Sequence, residues 1–372
     1  MHLLIAPNAF KNSLSATEAA QCIYMGLSQS KLDFSATLFP VGDGGDGTGS
    51  LLSMHLGAKI IAVKASDPMG RELDVSIQIS KDCIAIIEMS EVCGLKLMKP
   101  EELNPLHFST EGLGVLIRDA LKQGAKKILL CIGGSCSTDG ASGALRELGL
   151  RFLDKGGKEL ADLPEDLIRL EALDSAALET VNMDILCDVD NKLLGDQGAA
   201  RVFGPQKGAD AAAVARLEAC LEKFDEISFR HKGIRMSEIK YGGAAGGVAA
   251  GLASFLGARL VDGAGKFLDY TGFDQELKKA DLVITGEGSL DEQTLAGKAP
   301  FAVAVRAKKL GLPVTAMAGR VPLSAQESLS NYFDVLLAIG NEPTDMATAL
   351  MNTGSNLTRT ARTLGNMLAM NR

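Results

Sequence analysis

Short apolar runs recur along the chain, each closing in glycine or acidic residues: LLIAPNAF, ATLFPVGDGG, KIIAVKASD, KKILLCIGGS, MDILCDVDN, DLVITGEGS, LPVTAMAG and FDVLLAIGN. Runs apolar at nearly every position suit strands buried on both faces of a parallel sheet. The segments SATEAAQCIYMGLSQS, GTGSLLSMHLGA, TEGLGVLIRDALKQG and PFAVAVRAKKLG place apolar residues at helical spacing. Alternation of the two patterns predicts an α/β fold built on a doubly wound parallel sheet. The stretch LDVSIQISKDCIAIIEMSE, positions 73–91, departs from it. Alternating residues flank its tight SKDC turn, which predicts an antiparallel hairpin and a second sheet of mixed character.

No low-complexity linker divides the chain, as a bead-like pair of domains would show. The arrangement expected is therefore an insertion. Positions 1–62 and 280–372 form one doubly wound domain, positions 63–279 an inserted α/β domain, and the active site is expected in the cleft between them.

Composition narrows the function classes. The 372 residues are 46% apolar, enough for substantial cores, and the formal net charge of −8 offers no basic field for a nucleic-acid backbone. The expected partner is a small molecule, with no nucleic acid and no membrane, and a homodimer is the candidate assembly. Seven cysteines form no CxxC pair and read as free thiols of a reducing cytoplasm. The N-terminal MHLLIAPNAF is too soon interrupted by proline for a signal peptide, so a cytoplasmic location is expected. The charge-free run at 241–258 is rich in glycine and alanine and reads as a packed internal helix rather than a membrane span.

Ligands of open α/β sheets gather beyond the carboxyl ends of the strands, and here those ends hold the unusual residues. VGDGGDGTGS, at 41–50, sets five glycines and the carboxylates Asp43 and Asp46 after a strand pattern. It reads either as a helix-capping turn or as bare backbone that a ligand approaches. CIGGSCSTDG offers the backbone of Gly133 and Gly134 and the hydroxyls of Ser135 and Thr138 to phosphate oxygens, or is a glycine-rich packing turn. In TGEGSLDEQTLAGK, Glu287 and Asp291 bracket a turn ahead of Lys298, a pattern that suits magnesium beside phosphates. NAFKNSLSATEAA places Lys11 and Ser13 before a helix capped by Ser15 with Glu18. Lys11 reads as a solvated lysine or as the charge that neutralises a transferring phosphoryl group or a carboxylate. Asp188 and Asp190 close an apolar strand and alternate to one side, suiting joint action on a metal or a hydroxyl. There is no G-x-x-x-x-G-K-[ST] loop and no HExxH, and four scattered histidines make neither a triad nor a zinc site.

Taken together, APNAFKNSLSA, PVGDGGDGT, SDPMGR, GGSCSTDG, CDVDN, FGPQKGA, GGAAGGV and DLVITGEGSLDEQTLAGK resemble, in this order and nearly end to end, the bacterial glycerate kinases of the first class. The chain departs from that family's usual residues at Asn8 (aspartate), Asn12 (glycine), Asp46 (glutamate) and the Cys136–Asp139 stretch (Ala-Thr-Asn-Asp). The resemblance implies a Rossmann-like domain carrying an inserted second domain, and transfer of the ATP γ-phosphate to D-glycerate with Mg2+, giving 2-phosphoglycerate. On that reading Asp188 and Lys11 are catalytic, and Ser13, Asp43, Asp46 and Arg71 bind substrate. Gly133, Gly134, Ser135, Thr138, Glu287 and Lys298 then hold the nucleotide, and Asp190 and Asp291 the metal. The competing readings are an NAD-dependent dehydrogenase of a small hydroxy acid, disfavoured by the missing dinucleotide fingerprint, and a non-catalytic sugar-acid sensor.

Overall fold

Every one of the eight apolar runs forms a strand in the computed structural model, which describes residues 1–187, 189–291 and 294–370. In chain order the strands are β1 (His2–Ile5), β2 (Ser35–Leu38), β3 (Lys59–Ser66), β4 (Glu72–Ile79), β5 (Ile84–Glu88), β6 (Lys127–Cys131), β7 (Arg151–Leu153), β8 (Ala172–Asp174), β9 (Met183–Cys187), β10 (Arg259–Asp262), β11 (Leu282–Ser289), β12 (Val314–Arg320) and β13 (Val335–Ala338). The helical patterns form Ala16–Ser28, Thr48–Leu56, Glu111–Lys122 and Ala299–Lys309. Two units result, Met1–Asp43 with Asp262–Arg372, and Gly44–Val261.

The first unit holds a five-stranded sheet in the order β13-β12-β11-β1-β2, with every described pairing parallel. Counted by the unit's own strands the order is 2-1-3-4-5, so the winding reverses between β1 and β11, the point where doubly wound sheets bind ligands. The helices Ala16–Ser28 and Thr353–Met370 pack together, and Ile23, Leu27, Leu357 and Ala361 join Leu3, Ile5 and Ile284 in its core.

The second unit is built on a six-stranded sheet ordered β10-β9-β6-β5-β4-β3. β5, β6 and β9 run parallel, while β3, β4 and β5 run antiparallel, so the sheet is mixed as the 73–91 pattern predicts. The run at 241–258 contributes the buried helix Val248–Leu256, and among the described residues no helix is long and apolar enough to cross a membrane.

The unit boundaries differ from the sequence expectation, lying at 43/44 and 261/262 rather than 62/63 and 279/280. β3 reads as a buried parallel strand, yet it is an edge strand paired along its whole length with β4, which draws it into the second unit. At the other boundary, Arg306 of the helix Ala299–Lys309 binds Asp269, Asp274 and the Gly265 carbonyl, tying the helices Gly263–Thr271 and Phe273–Leu277 to the first unit.

Candidate active site

In the first unit the β1–β11 ladder continues past the end of β1. The amide of Ala6 donates to the Ile284 carbonyl at 2.7 Å and that of Asn8 to Gly286 at 2.8 Å. This sets Asn8 alongside the Gly286–Glu287 step of β11, at the winding reversal. Its side-chain amide donates to Asp43 Oδ2 at 2.9 Å while its own Oδ1 accepts from the Ala9 amide at 2.8 Å. Glu287 is 7% exposed, accepts from Thr294 Oγ1 at 2.8 Å, and lies 4.0 Å from Lys298 Nζ. Burial pushes its carboxyl up to about 7, and the nearby carboxylates Asp43 and Asp291 add to the rise. Lys298 and the Thr294 hydroxyl oppose the rise without cancelling it. The Asp291 amide donates to the same Thr294 hydroxyl at 3.1 Å, which folds the 287–298 segment back on itself. Asp43 from one motif and Glu287, Asp291 and Lys298 from another thus form one group.

Lys11 is exposed on a tight turn closed by the Phe10 amide and the Leu14 carbonyl at 2.9 Å. Asn12 in that turn has φ 63°, a left-handed conformation that asparagine tolerates and glycine adopts freely, which accounts for the interchange expected there. Ser13, expected on the substrate, instead donates its hydroxyl to the Leu350 carbonyl at 2.6 Å. The Ser15–Glu18 capping box forms as read.

An all-oxygen donor set beside a lysine fits magnesium, which takes one or two carboxylates and completes its shell with water and phosphate oxygens. Among the described residues no three metal-ligating side chains gather into a self-sufficient metal centre.

In the second unit, Glu88 and Cys131 end the parallel strands β5 and β6 in register. The loop opening at Gly44 lies over those ends. Gly44 has φ 98° and a Cβ there would sit 2.5 Å from the Leu186 carbonyl, while a Cβ on Gly49 would strike the Glu88 side chain at 2.5 Å. At Gly44 and Gly49 the bareness thus answers to close approach of the protein's own atoms, whereas Gly47 faces open space in a left-handed conformation, φ 85°. Glu88 accepts from the Gly47 amide at 2.7 Å, and burial raises its carboxyl above the usual range. Asp46 is exposed and accepts from Ser90 Oγ at 2.9 Å, with Lys96 Nζ at 3.9 Å.

The turn after β6 carries Gly133 and Gly134 at its rim and Ser135 just beneath. Its backbone is tied by Gly133 N to Gly44 O at 3.3 Å, Leu95 N to Gly134 O at 2.9 Å, and Cys136 N to Cys93 O at 2.8 Å. Thr138, expected on phosphate, is fully buried, so its hydroxyl faces the interior. The reason lies in Asp139. It accepts from the amides of Thr110, Ala141 and Gly143 and from the Thr110 hydroxyl, which draws the end of the turn inward.

Arg71, expected on the substrate carboxylate, spans Asp67 at 2.5 Å and Glu102 at 2.8 Å, and Asp67 also accepts from the amides of Met69 and Arg71. Its guanidinium closes the 67–71 turn. Asp190 is exposed just past β9, and Asp188 lies outside the described residues. Glu88, Ser90, Lys96 and Thr294 escape sequence reasoning. Glu88 and Ser90 stand at a strand's carboxyl end, but the hairpin reading of 73–91 conceals that β5 also pairs in parallel with β6.

The glycerate kinase family model matches residues 3–369. A glycerate kinase from Halalkalibacterium halodurans is 36% identical, covering 100% of this chain and 99% of that one. A glycerate 2-kinase from Escherichia coli is likewise 36% identical, over 100% and 98%. A crystal structure from Salmonella typhimurium LT2, described as a glycerate kinase 2, superposes with a TM-score of 0.83 at 34% identity, covering 100% of this chain and 99% of that one.

Proposed function

The chain belongs to the glycerate kinase family, and we propose on that premise that it transfers the γ-phosphate of ATP to the 2-hydroxyl of D-glycerate with Mg2+. The observation that carries the reading is the group formed by Asn8, Asp43, Glu287, Thr294 and Lys298 at the winding reversal of the parallel sheet. Phosphoryl transfer asks a protein chiefly for positioning and for offsetting charge, which carboxylates, lysines and bare backbone supply.

Lys11 and Lys298 offset negative charge on the transferring group. Asp291 and Asp190 are the metal ligands of this reading, with Glu287 beside Asp291. Magnesium held there would supply charge neutralisation of the phosphate oxygens, and Glu287 beside it would ionise more readily. Asp43 and Asp46 orient glycerate hydroxyls, and the 133–135 turn receives anionic oxygens on the Gly134 and Ser135 amides and on the Ser135 hydroxyl, while the Gly133 amide is engaged by the Gly44 carbonyl. Asp188 accepts the proton of the attacking hydroxyl. A dehydrogenase or sensor has no use for this set.

The test incubates the purified protein with ATP, Mg2+ and D-glycerate and resolves 2- from 3-phosphoglycerate by NMR. ADP release indifferent to glycerate would overturn the reading, and 3-phosphoglycerate would overturn its regiochemistry. Asp188→Asn is expected to keep ATP binding by calorimetry and lose at least ~100-fold in turnover, the scale of a missing general base.

A further inference from the structure

Lys207 closes the short turn Pro205–Lys207 of the second unit and is 2% exposed. A lysine buried to that degree is retained against a large desolvation penalty and needs a reason. Its Nζ donates to Ser135 Oγ at 3.1 Å and to the Ser137 carbonyl at 2.6 Å. The charged and titratable groups around it are Cys136 and Asp139, from the same turn, and Cys93, from the segment Ser90–Cys93. None of them hydrogen-bonds the ammonium. The backbone of the turn has further ties at Gly133, Gly134 and Cys136, so the Lys207 bond to the Ser137 carbonyl is one of several that hold the chain trace, while its bond to Ser135 Oγ holds a side chain.

An ammonium only donates, so Ser135 Oγ meets it with a lone pair and the hydroxyl proton must point elsewhere. A cation on that oxygen also makes the hydroxyl a stronger donor. We propose that Lys207 is a positioning residue that sets the Ser135 hydroxyl as a polarised donor to an anionic oxygen of the reactants, the glycerate carboxylate or an ATP phosphate. This rests on the reading of the 133–135 turn as a ligand turn.

The experiment compares wild type, Lys207→Met, Ser135→Ala and the double variant, measuring KM for glycerate and for ATP separately, with melting temperature alongside. Methionine replaces a buried ammonium with an apolar chain of similar length, so folding is expected to persist. A hydrogen bond to a charged group corresponds to roughly 10–100-fold in affinity. Lys207→Met and Ser135→Ala are each expected to raise one KM by that order, and the double variant no further than either single one. The KM that moves identifies the anion as carboxylate or phosphate.

A wild-type Lys207→Met beside an impaired Ser135→Ala overturns the proposal and leaves the ligand turn standing. Two wild-type singles overturn both, and full additivity in the double variant overturns the coupling. Burial brings the Lys207 ammonium down to about 8, and Cys136, Asp139 and Cys93 only partly restore it. The affected KM of wild type should therefore rise as pH passes about 8, and that rise should be missing from Ser135→Ala. If Lys207→Met does not fold, this comparison decides: the same rise in both proteins overturns the proposal.

Discussion

At the scale of single residues, Glu287 ties the candidate site to the stability of the fold. Its carboxyl titrates at about 7 when folded against an ordinary 4.5, so between those values the folded chain holds a proton that the unfolded chain has released. Stability is therefore full below about pH 4.5 and is lost as pH rises through 7. Glu287→Gln removes that dependence and is expected to gain up to about 3 kcal/mol over wild type at pH 8 and little at pH 5, by urea unfolding at both. An equal gain at the two pH values would show that the carboxyl is not held protonated. Asn8 makes a complementary case. Its amide donates to Asp43, so Asn8→Asp, the residue the resemblance leads one to expect, sets two buried acids against each other. A loss of roughly 1–3 kcal/mol at pH 8 is expected. The loss should shrink in acid and be partly restored by magnesium chloride; indifference to magnesium would count against a cation at this group. Asp43, Glu287 and Asp291 were legible because each lies at or just past the end of a strand pattern, and Lys298 because it closes the same glycine-rich motif ahead of a helix. The engagement of Arg71 was not, because Glu102, its second partner, lies far along the chain on another segment.

At the scale of elements, the turn after β6 works by contact with the loop that opens at Gly44. A Cβ on Gly133 would lie 2.5 Å from Gly45 Cα and 2.8 Å from the Asp46 amide, both backbone atoms that cannot swing aside. Gly133→Ala is expected to cost about 1–3 kcal/mol of stability, the scale of overpacking, and to lower kcat/KM with it. Gly340 faces open space without a left-handed φ, so Gly340→Ala serves as the control and should stay within ~0.5 kcal/mol in thermal melts. Comparable melting temperatures for the two variants would show that the loops can part without loss. The β4–β5 hairpin shows how far a local pattern reaches. Alternation around SKDC predicts the antiparallel pairing, which forms, but is silent on the parallel pairing of β5 with β6 that sets Glu88 in register with Cys131, at the start of the turn after β6.

At the scale of the whole molecule, the chain leaves the first unit at Asp43 and returns at Asp262. The second unit, Gly44–Val261, has a continuous chain and an apolar core drawn from its own residues, including Ile87, Leu130, Ile185, Phe224 and Phe255. A fragment spanning 44–261 is expected to melt cooperatively by circular dichroism and to phosphorylate no glycerate, since Lys11, Asp43, Glu287 and Lys298 belong to the other unit. A broad, featureless melt would mean that its core depends on the first unit.

The sequence by itself determined the α/β class, the strands of the eight apolar runs and of the β4–β5 hairpin, four of the helices, the mixed character of the second sheet and the family, because these follow from short-range periodicity and from motifs that keep their order; it left unread β7, β8, β10 and the long helices Ala211–Lys232 and Thr353–Met370. Tertiary structure alone decided where the units divide, since β3 is claimed by its ladder to β4 rather than by its own pattern. It alone turned Ser13 toward Leu350, buried Thr138, and brought Lys207 beneath Ser135. The physical reason is common to all of these. A side chain's spacing along the chain gives the face it shares with its neighbours, whereas its hydrogen-bond partner and its burial depend on which distant segment packs there, as Lys207 and Ser135, 72 residues apart, make plain.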